Sequence, residues 1–265
     1  MSSRTGPPLE ANQPKKHLGQ NFLIDPNIGR KIVASLEPGP LDTVVEIGPG
    51  RGALTRILGQ SGAAVVAVER DQDLAFQLRN LNPGLQLIIA DALSLDWSRL
   101  VRPGWKVIGN LPYNIASPLI WDLVAQVPHG TSMAFLVQKE VAMRLTAQEG
   151  NSSFGSLSVW VQSFARTRLA FKVGPKVFRP RPRVESALVI FERLAAGEEP
   201  HNPDQLVRLI RMCFQQRRKQ LGTILKPVWS SKVQEWLEGQ GLGARVRPEQ
   251  LSVRQFNMLS SFIFS

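Results

Sequence analysis

Cysteine, tyrosine and histidine are almost missing from this 265-residue chain, which holds one Cys, one Tyr and three His. A lone Cys213 excludes an internal disulfide framework and any cysteine-cluster metal site. His17, His129 and His201 are too scattered to suggest zinc, so no metal is expected. No apolar run is long enough to span a bilayer. The opening stretch, MSSRTGPPLEANQPKKH, lacks the apolar segment of a signal peptide. The expectation is a soluble, cytoplasmic protein with no membrane partner.

Acid is missing too from residues 166–183, which carry seven Lys and Arg. The formal net charge is +11, and its distribution is uneven. Residues 41–165 carry 9 basic and 10 acidic side chains, whereas residues 201–265 carry 10 basic and 4 acidic ones. A near-neutral body flanked by two basic blocks suits an enzyme that works on a polyanion, although basic runs also serve solubility alone. Apolar residues make up 43% of the chain, enough for a full core, which excludes a wholly disordered chain.

Residues 1–16 are polar and proline-bearing and read as a loose tail. Asp25-Pro26 supplies an N-cap and a first-turn proline for a helix carrying Ile28, Ile32, Val33 and Leu36. From Thr43 onward short apolar runs alternate with amphipathic stretches. Thr43–Ile47, Ala63–Glu69, Leu85–Ala90, Lys106–Gly109 and Ser132–Val137 are expected strands. Ala53–Gln60, Gln72–Asn80 and Ser117–Gln126 are expected helices between them. Continuous apolar runs suit a parallel sheet covered on both faces, and the alternation argues for a doubly wound α/β sheet. Arg166–Lys172 and Ala187–Glu192 could add a late, hairpin-like pair of strands. Ala195–Pro203 reads as a linker, followed by helices over Asp204–Leu225, Ser231–Gly239 and about Glu249–Phe262. The expected division is a 1–16 tail, a 17–195 catalytic domain and a small all-helical 200–265 domain.

Strand Thr43–Ile47 runs into Gly48-Pro49-Gly50-Arg51-Gly52. Glycines there let the backbone turn tightly and approach a ligand. The order G-x-G-x-G differs from the dinucleotide fingerprint, and an ordinary βα turn would explain it equally well. Glu69 lies 21 residues after Gly48, at the end of the next strand, where a carboxylate can accept both ribose hydroxyls. Asp91 closes the third strand and can receive an exocyclic amine. Three such features at successive strand ends point to a nucleoside site.

The fourth strand ends in Asn110-Leu111-Pro112-Tyr113. An Asn side-chain oxygen with a carbonyl from Leu111 or Pro112 forms an acceptor pair for an amino group. Tyr113 could stack a base or simply pack in the core.

These residues resemble the N/D-P-P-Y/F box of S-adenosylmethionine-dependent amino-methyltransferases. More closely, the chain resembles the ribosomal small-subunit RNA adenine dimethyltransferases, the kasugamycin-resistance family. The likeness rests on Lys16–Leu23 (KHLGQNFL), Glu46–Gly52, Asn110–Pro118 (NLPYNIASP), Gln138–Ala142 (QKEVA), Phe178–Ser186 (FRPRPRVES), Gln216–Leu221 (QRRKQL) and the terminal RPEQLSVRQF. It implies a Rossmann-like class I methyltransferase sheet with helices on both faces and a C-terminal helical domain. By this resemblance Asn21, Leu23, Gly48, Glu69, Asp91 and Asn110 bind S-adenosylmethionine and leave S-adenosylhomocysteine. Asn110, Leu111, Pro112, Tyr113 and Phe178 handle a flipped base. The implied partner is small-subunit ribosomal RNA in the assembling subunit, met by a monomeric enzyme that dimethylates two adjacent adenosines in the 3′-terminal hairpin loop. Phe154-Gly155-Ser156 departs from a common Tyr-Gly-Arg, which puts one RNA or packing contact in doubt. Other readings stay open: a large-subunit dimethyltransferase, a mainly non-catalytic assembly or RNA-binding factor, and, most distantly, a dinucleotide oxidoreductase.

Arg179, Arg181 and Arg183, stiffened by Pro180 and Pro182, are expected to contact RNA. In the helix over Asp204–Leu225, helical spacing puts Leu206, Ile210, Cys213, Phe214, Leu221 and Leu225 on one face. Arg208, Arg211, Arg218 and Lys219 fall opposite, toward phosphates. Arg217 projects into the apolar stripe and should be paired there; a break before residue 217 would free all three of Arg217, Arg218 and Lys219.

Overall fold

The computed structural model describes residues 19–82, 84–216, 219–243 and 245–264. Nine strands occur among them: β1 (Phe22–Leu23), β2 (Thr43–Ile47), β3 (Ala64–Glu69), β4 (Gln86–Ile89), β5 (Lys106–Asn110), β6 (Ser132–Gln138), β7 (Ala165–Val173), β8 (Phe178–Arg179) and β9 (Ser186–Arg193). The first helices are α1 (Pro26–Ala34), α2 (Thr55–Gln60), α3 (Gln72–Leu81), α4 (Trp97–Leu100), α5 (Ala116–Gln126), α6 (Lys139–Thr146) and α7 (Ser156–Gln162). The later ones are α8 (Pro203–Gln215), α9 (Leu221–Ile224), α10 (Ser231–Gly239) and α11 (Val253–Phe264).

The residues divide into two compact units. One takes in the described residues up to Ala142 together with Thr167–Arg193, and the other takes in Met143–Arg166 and the described residues from Leu194 on. Composition alone assigned 143–166 to the catalytic domain; by its contacts this stretch goes with the C-terminal helices.

The first unit is built on a seven-stranded sheet in the order β4-β3-β2-β5-β6-β9-β7, with helices on both faces. Strands β2 to β6 pair in parallel, and β9 runs antiparallel to β6, from Ser132↔Glu192 to Gln138↔Ser186. This is the Rossmann-like class I methyltransferase arrangement. The chain order reverses at β2, which pairs with both β3 and β5, and α/β sheets open a ligand crevice at such a switch point. Val44, Val45, Ile47, Val107 and Ile108 are buried, as continuous apolar parallel strands must be. Asp25 caps α1 by accepting the Asn27 and Ile28 amides at 2.8 and 3.3 Å, with Pro26 in the first turn.

The two late strands are neighbours in the sheet, yet the chain between them does more than turn. Its β8 residues pair antiparallel with β1, setting Phe22 opposite Arg179 and Leu23 opposite Phe178. Strand alternation then sends the two pairs to opposite faces.

The second unit buries Leu206, Leu209, Ile210, Cys213, Phe256 and Leu259. Phe214 stacks on Phe256 with centroids 5.6 Å apart and meets Phe154 edge-on at 6.5 Å. Phe154 is thus a fully buried packing residue, which accounts for an aromatic at the departing position. Burial pushes the Cys213 thiol up to about 12, leaving it inert.

The single helix expected over Asp204–Leu225 is a correction. Helix α8 stops at Gln215, because Gln216 leaves the helical region at φ −127° and ψ 43°. Leu221 and Leu225 are buried all the same, through the short separate helix α9 and the turn that follows it. The wheel that joined Arg208 and Arg211 to Lys219 therefore does not apply. Arg217 and Arg218 lie outside the described residues.

Candidate active site

The crevice at the carboxyl ends of β2, β3 and β5 is a cleft lined by Asn21, Leu23, Gly48, Glu69, Asp91, Asn110, Leu111, Pro112 and Tyr113. Sequence reasoning singled out each of these.

Gly48 turns with φ +66°, and a Cβ built there would meet nothing nearer than the Asn110 carbonyl oxygen at 4.0 Å. The added carbon would stand in the cleft itself, so glycine keeps open the space a ligand backbone needs. Gly50, at φ +55°, has the Phe22 ring where its Cβ would be, at 3.0 Å.

Glu69 is 7% exposed. Its Oε2 accepts the Gly50 amide at 3.0 Å and its Oε1 accepts the Asp71 amide at 2.9 Å. Burial pushes its pKa up, while these two amides pull it down. The carboxylate ties the glycine loop to the start of α3 and keeps further lone pairs for hydroxyl donors. Asp71 in turn accepts from the Gln20 side chain at 3.2 Å, joining α3 to the segment before β1. Asp91 accepts the Leu93 amide at 3.0 Å and pairs with Arg70 at 3.1 Å, so an incoming amine would share this carboxylate with Arg70.

Beneath the loop Glu46 is buried and accepts the Thr55 hydroxyl at 2.7 Å. Desolvation raises its pKa to about 7, and the Glu69 charge adds to the rise.

At the far end of the cleft the Asn110 side-chain amide donates to the Asn21 carbonyl at 2.9 Å, leaving its Oδ1 as an acceptor. The Pro112 carbonyl already accepts the Ile115 and Ala116 amides, both at 3.1 Å, as the start of α5. This narrows the expected carbonyl acceptor to that of Leu111, whose amide is fixed on the Leu136 carbonyl at 3.1 Å. The Tyr113 hydroxyl is hydrogen-bonded to Ser186 at 2.7 Å, and burial raises its pKa. Partners such as Ser186, Thr55, Gln20 and Asp71 were not assigned roles from the sequence. Gln20 and Ser186 alone carried a signal, the one inside KHLGQNFL and the other as the last residue of FRPRPRVES.

Phe178 is a second correction. Its ring is 1% exposed and belongs to the core with Leu23, Ile32, Leu54 and Ile190, so in this conformation it offers no face to a base. The register explains this: Phe178 shares the inward face with Leu23. Arg179, Arg181 and Arg183 are exposed in the same connection. Arg208, Arg211 and Lys219 are exposed too, with the Arg208 guanidinium 4.4 Å from the Phe264 ring centroid.

The family model described as Ribosomal RNA adenine dimethylase matches residues 11–264. The chain belongs to the ribosomal RNA adenine dimethylase family.

The relatives agree. The chain is 47% identical over 247 residues to the ribosomal RNA small subunit methyltransferase A of Maridesulfovibrio salexigens, covering 92% of this chain and 94% of that one. It is 41% identical over 262 residues to the protein of that name from Pseudomonas aeruginosa, covering 96% of both. Among solved structures, a dimethyladenosine transferase from Plasmodium falciparum superposes with a TM-score of 0.76 at 25% identity, covering 90% of this chain and 95% of that one. The 23S rRNA methyltransferase ErmE, at 24% identity and a TM-score of 0.70, covers 92% of this chain and all of that one and shares the fold. As a ribosomal RNA adenine dimethylase the protein is an S-adenosylmethionine-dependent methyltransferase, and the open cradle at Gly48 beside buried Glu69 fits that cofactor. Among the described residues, no group of three His, Cys, Asp or Glu could hold a metal ion, and no helix is long and apolar enough to cross a membrane.

Proposed function

We propose that this enzyme dimethylates the N6 amines of two adjacent adenosines in the 3′-terminal hairpin loop of small-subunit ribosomal RNA, acting as a cytoplasmic monomer on the assembling subunit. The observation that carries the reading is that one cleft is lined both by Gly48, Glu69 and Asp91 and by Asn110, Leu111 and Tyr113. A nucleoside cofactor and an amine acceptor pair are thereby set against each other.

S-adenosylmethionine, when bound, supplies an electrophilic methyl group. The remaining task falls to the protein. An adenine N6 amine delocalises its lone pair into the ring and is a weak nucleophile. Asn110 Oδ1 and the Leu111 carbonyl would each accept one amine hydrogen. Two acceptors so placed favour a tetrahedral nitrogen with its lone pair free, and they stabilise the positive charge that grows on it. Tyr113, held by Ser186, presents its ring to the base. A looped target leaves its stack at low cost, which suits a hairpin substrate. The names of the relatives favour small-subunit RNA, as do the KHLGQNFL and NLPYNIASP sequences.

The test is transfer of labelled methyl groups from S-adenosylmethionine to unmethylated small subunits, to naked small-subunit RNA and to large-subunit RNA. Digestion should yield N6,N6-dimethyladenosine from the small-subunit hairpin. Label confined to large-subunit RNA, or absent throughout, would overturn the reading.

A further inference from the structure

A second concavity of the first unit is lined by Arg51, Lys176, Phe178, Arg179, Pro180 and Arg181, four cations and no acid. Of these six, Arg51 alone also lines the cofactor cleft. Two segments distant in sequence meet there through Phe22. The Arg51 guanidinium lies 4.5 Å from the centroid of the Phe22 ring, and Arg179 stands opposite Phe22 in the β1–β8 register. Cross-strand partners share a face of a two-stranded sheet, so Arg179 lies on the side of Phe22 and away from buried Phe178. Gly50 makes the arrangement possible, since any side chain there would displace the Phe22 ring on which Arg51 rests.

We propose that Arg51, Lys176, Arg179 and Arg181 form a subsite for the RNA phosphate that adjoins the target adenosine, with Arg51 as the member held in place. The inference rests on the RNA adenine reading above. A nucleotide whose base enters the cleft leaves its phosphates at the mouth, and the mouth is where Arg51 stands between the two cavities. An aromatic face under a guanidinium limits its motion without covering the N–H groups that lie in its plane. Guanidinium groups bind phosphate oxygens through short, charge-assisted hydrogen bonds. Lys176, Arg179 and Arg181 add charge from a loop stiffened by Pro180. The GPGRG loop thus has a second task besides cradling the cofactor: it places a cation for the substrate backbone.

The experiment compares adenosine, adenosine 5′- and 3′-monophosphate and inorganic phosphate as ligands of the full chain saturated with S-adenosylhomocysteine. At least one monophosphate should bind about tenfold more tightly than adenosine. In both Arg51→Gln and Lys176→Gln that preference should shrink to about twofold or less, with Arg51→Lys recovering part of it. Either Gln variant also lowers the salt slope of RNA binding by about one. A monophosphate preference unchanged in either variant would falsify the subsite, as would inorganic phosphate binding as tightly as the nucleotide. Displacement of S-adenosylhomocysteine by the monophosphate would overturn it too, by placing the phosphate in the cofactor cleft. Failure of methyl transfer to any adenine in the wild type would instead strike the function reading, so the two are separable.

Discussion

The side-chain amide of Asn110 donates to the main-chain carbonyl of Asn21 at 2.9 Å, across 89 residues of sequence. The bond uses the donor half of the amide and fixes its acceptor half. Asn110→Ala removes both at once. Methyl transfer should fall by at least about 100-fold, while the melting temperature stays close to that of the wild type. A labelled-methyl assay beside a thermal melt checks this; turnover within a few-fold of the wild type would remove Asn110 from the mechanism.

The cofactor end is open to calorimetry. Gly48→Ala places a methyl group in the cleft and imposes a strained backbone of about 1–2 kcal/mol. Glu69→Ala removes the acceptor of two amides and, on the proposed assignment, of the ribose hydroxyls. Each should weaken S-adenosylmethionine binding by about 10-fold or more. Undiminished affinity in Glu69→Ala would cancel its assignment.

Glu46 gives stability a pH dependence. Its pKa is about 7 in the folded protein against an ordinary 4.5, so the native state holds this proton more tightly than the unfolded chain. The contribution is therefore complete below about pH 4.5 and is lost as pH rises through 7. Glu46→Gln keeps an oxygen for Thr55 and cannot ionise. Between pH 5 and 8 the wild type should lose roughly 2–3 kcal/mol relative to this variant. Denaturant melts of the cofactor-free proteins at the two pH values measure it, and parallel pH profiles would refute it.

Much of the site could be read from residues alone because buried parallel strands are continuous apolar runs. Strand β2 was placed at Thr43–Ile47, as observed, and β3 and β5 within one residue at an end. The cleft-lining positions follow from those ends. Two kinds of feature were hidden. Strands β1 and β8 have two residues each, too few for any period, and they decide which way Phe178 faces. Helix α7 has no sequence signature because its Ser158, Val159, Trp160 and Val161 are all buried, leaving no polar stripe to mark a turn of 3.6. The opposite error arose after α8, where Leu221 and Leu225 kept the helical spacing across a break in the helix.

RNA binding should weaken steeply as salt rises, since each phosphate contact releases counterion. Reversing Arg179, Arg181 and Arg183 to Glu should lower RNA affinity by at least about 100-fold at 100 mM salt and flatten the slope. Filter binding across a salt series decides it; a slope equal to that of the wild type would take this connection off the RNA surface.

The bond between Tyr113 and Ser186 spans 73 residues and sets an order on the ribosome that makes the protein. The cleft residues from Asn21 to Tyr113 are synthesised first, and β9 follows only about 4–15 s later at ordinary elongation rates of about 5–20 residues per second. Until that strand slots in beside β6, the tyrosine has no anchor and the sheet lacks its antiparallel member. A nascent chain stalled before Ser186 therefore carries every cleft-lining residue named here and still lacks the partner that holds Tyr113. Every residue that lines the cleft is thus present in the chain before the hydrogen bond that holds Tyr113 can form.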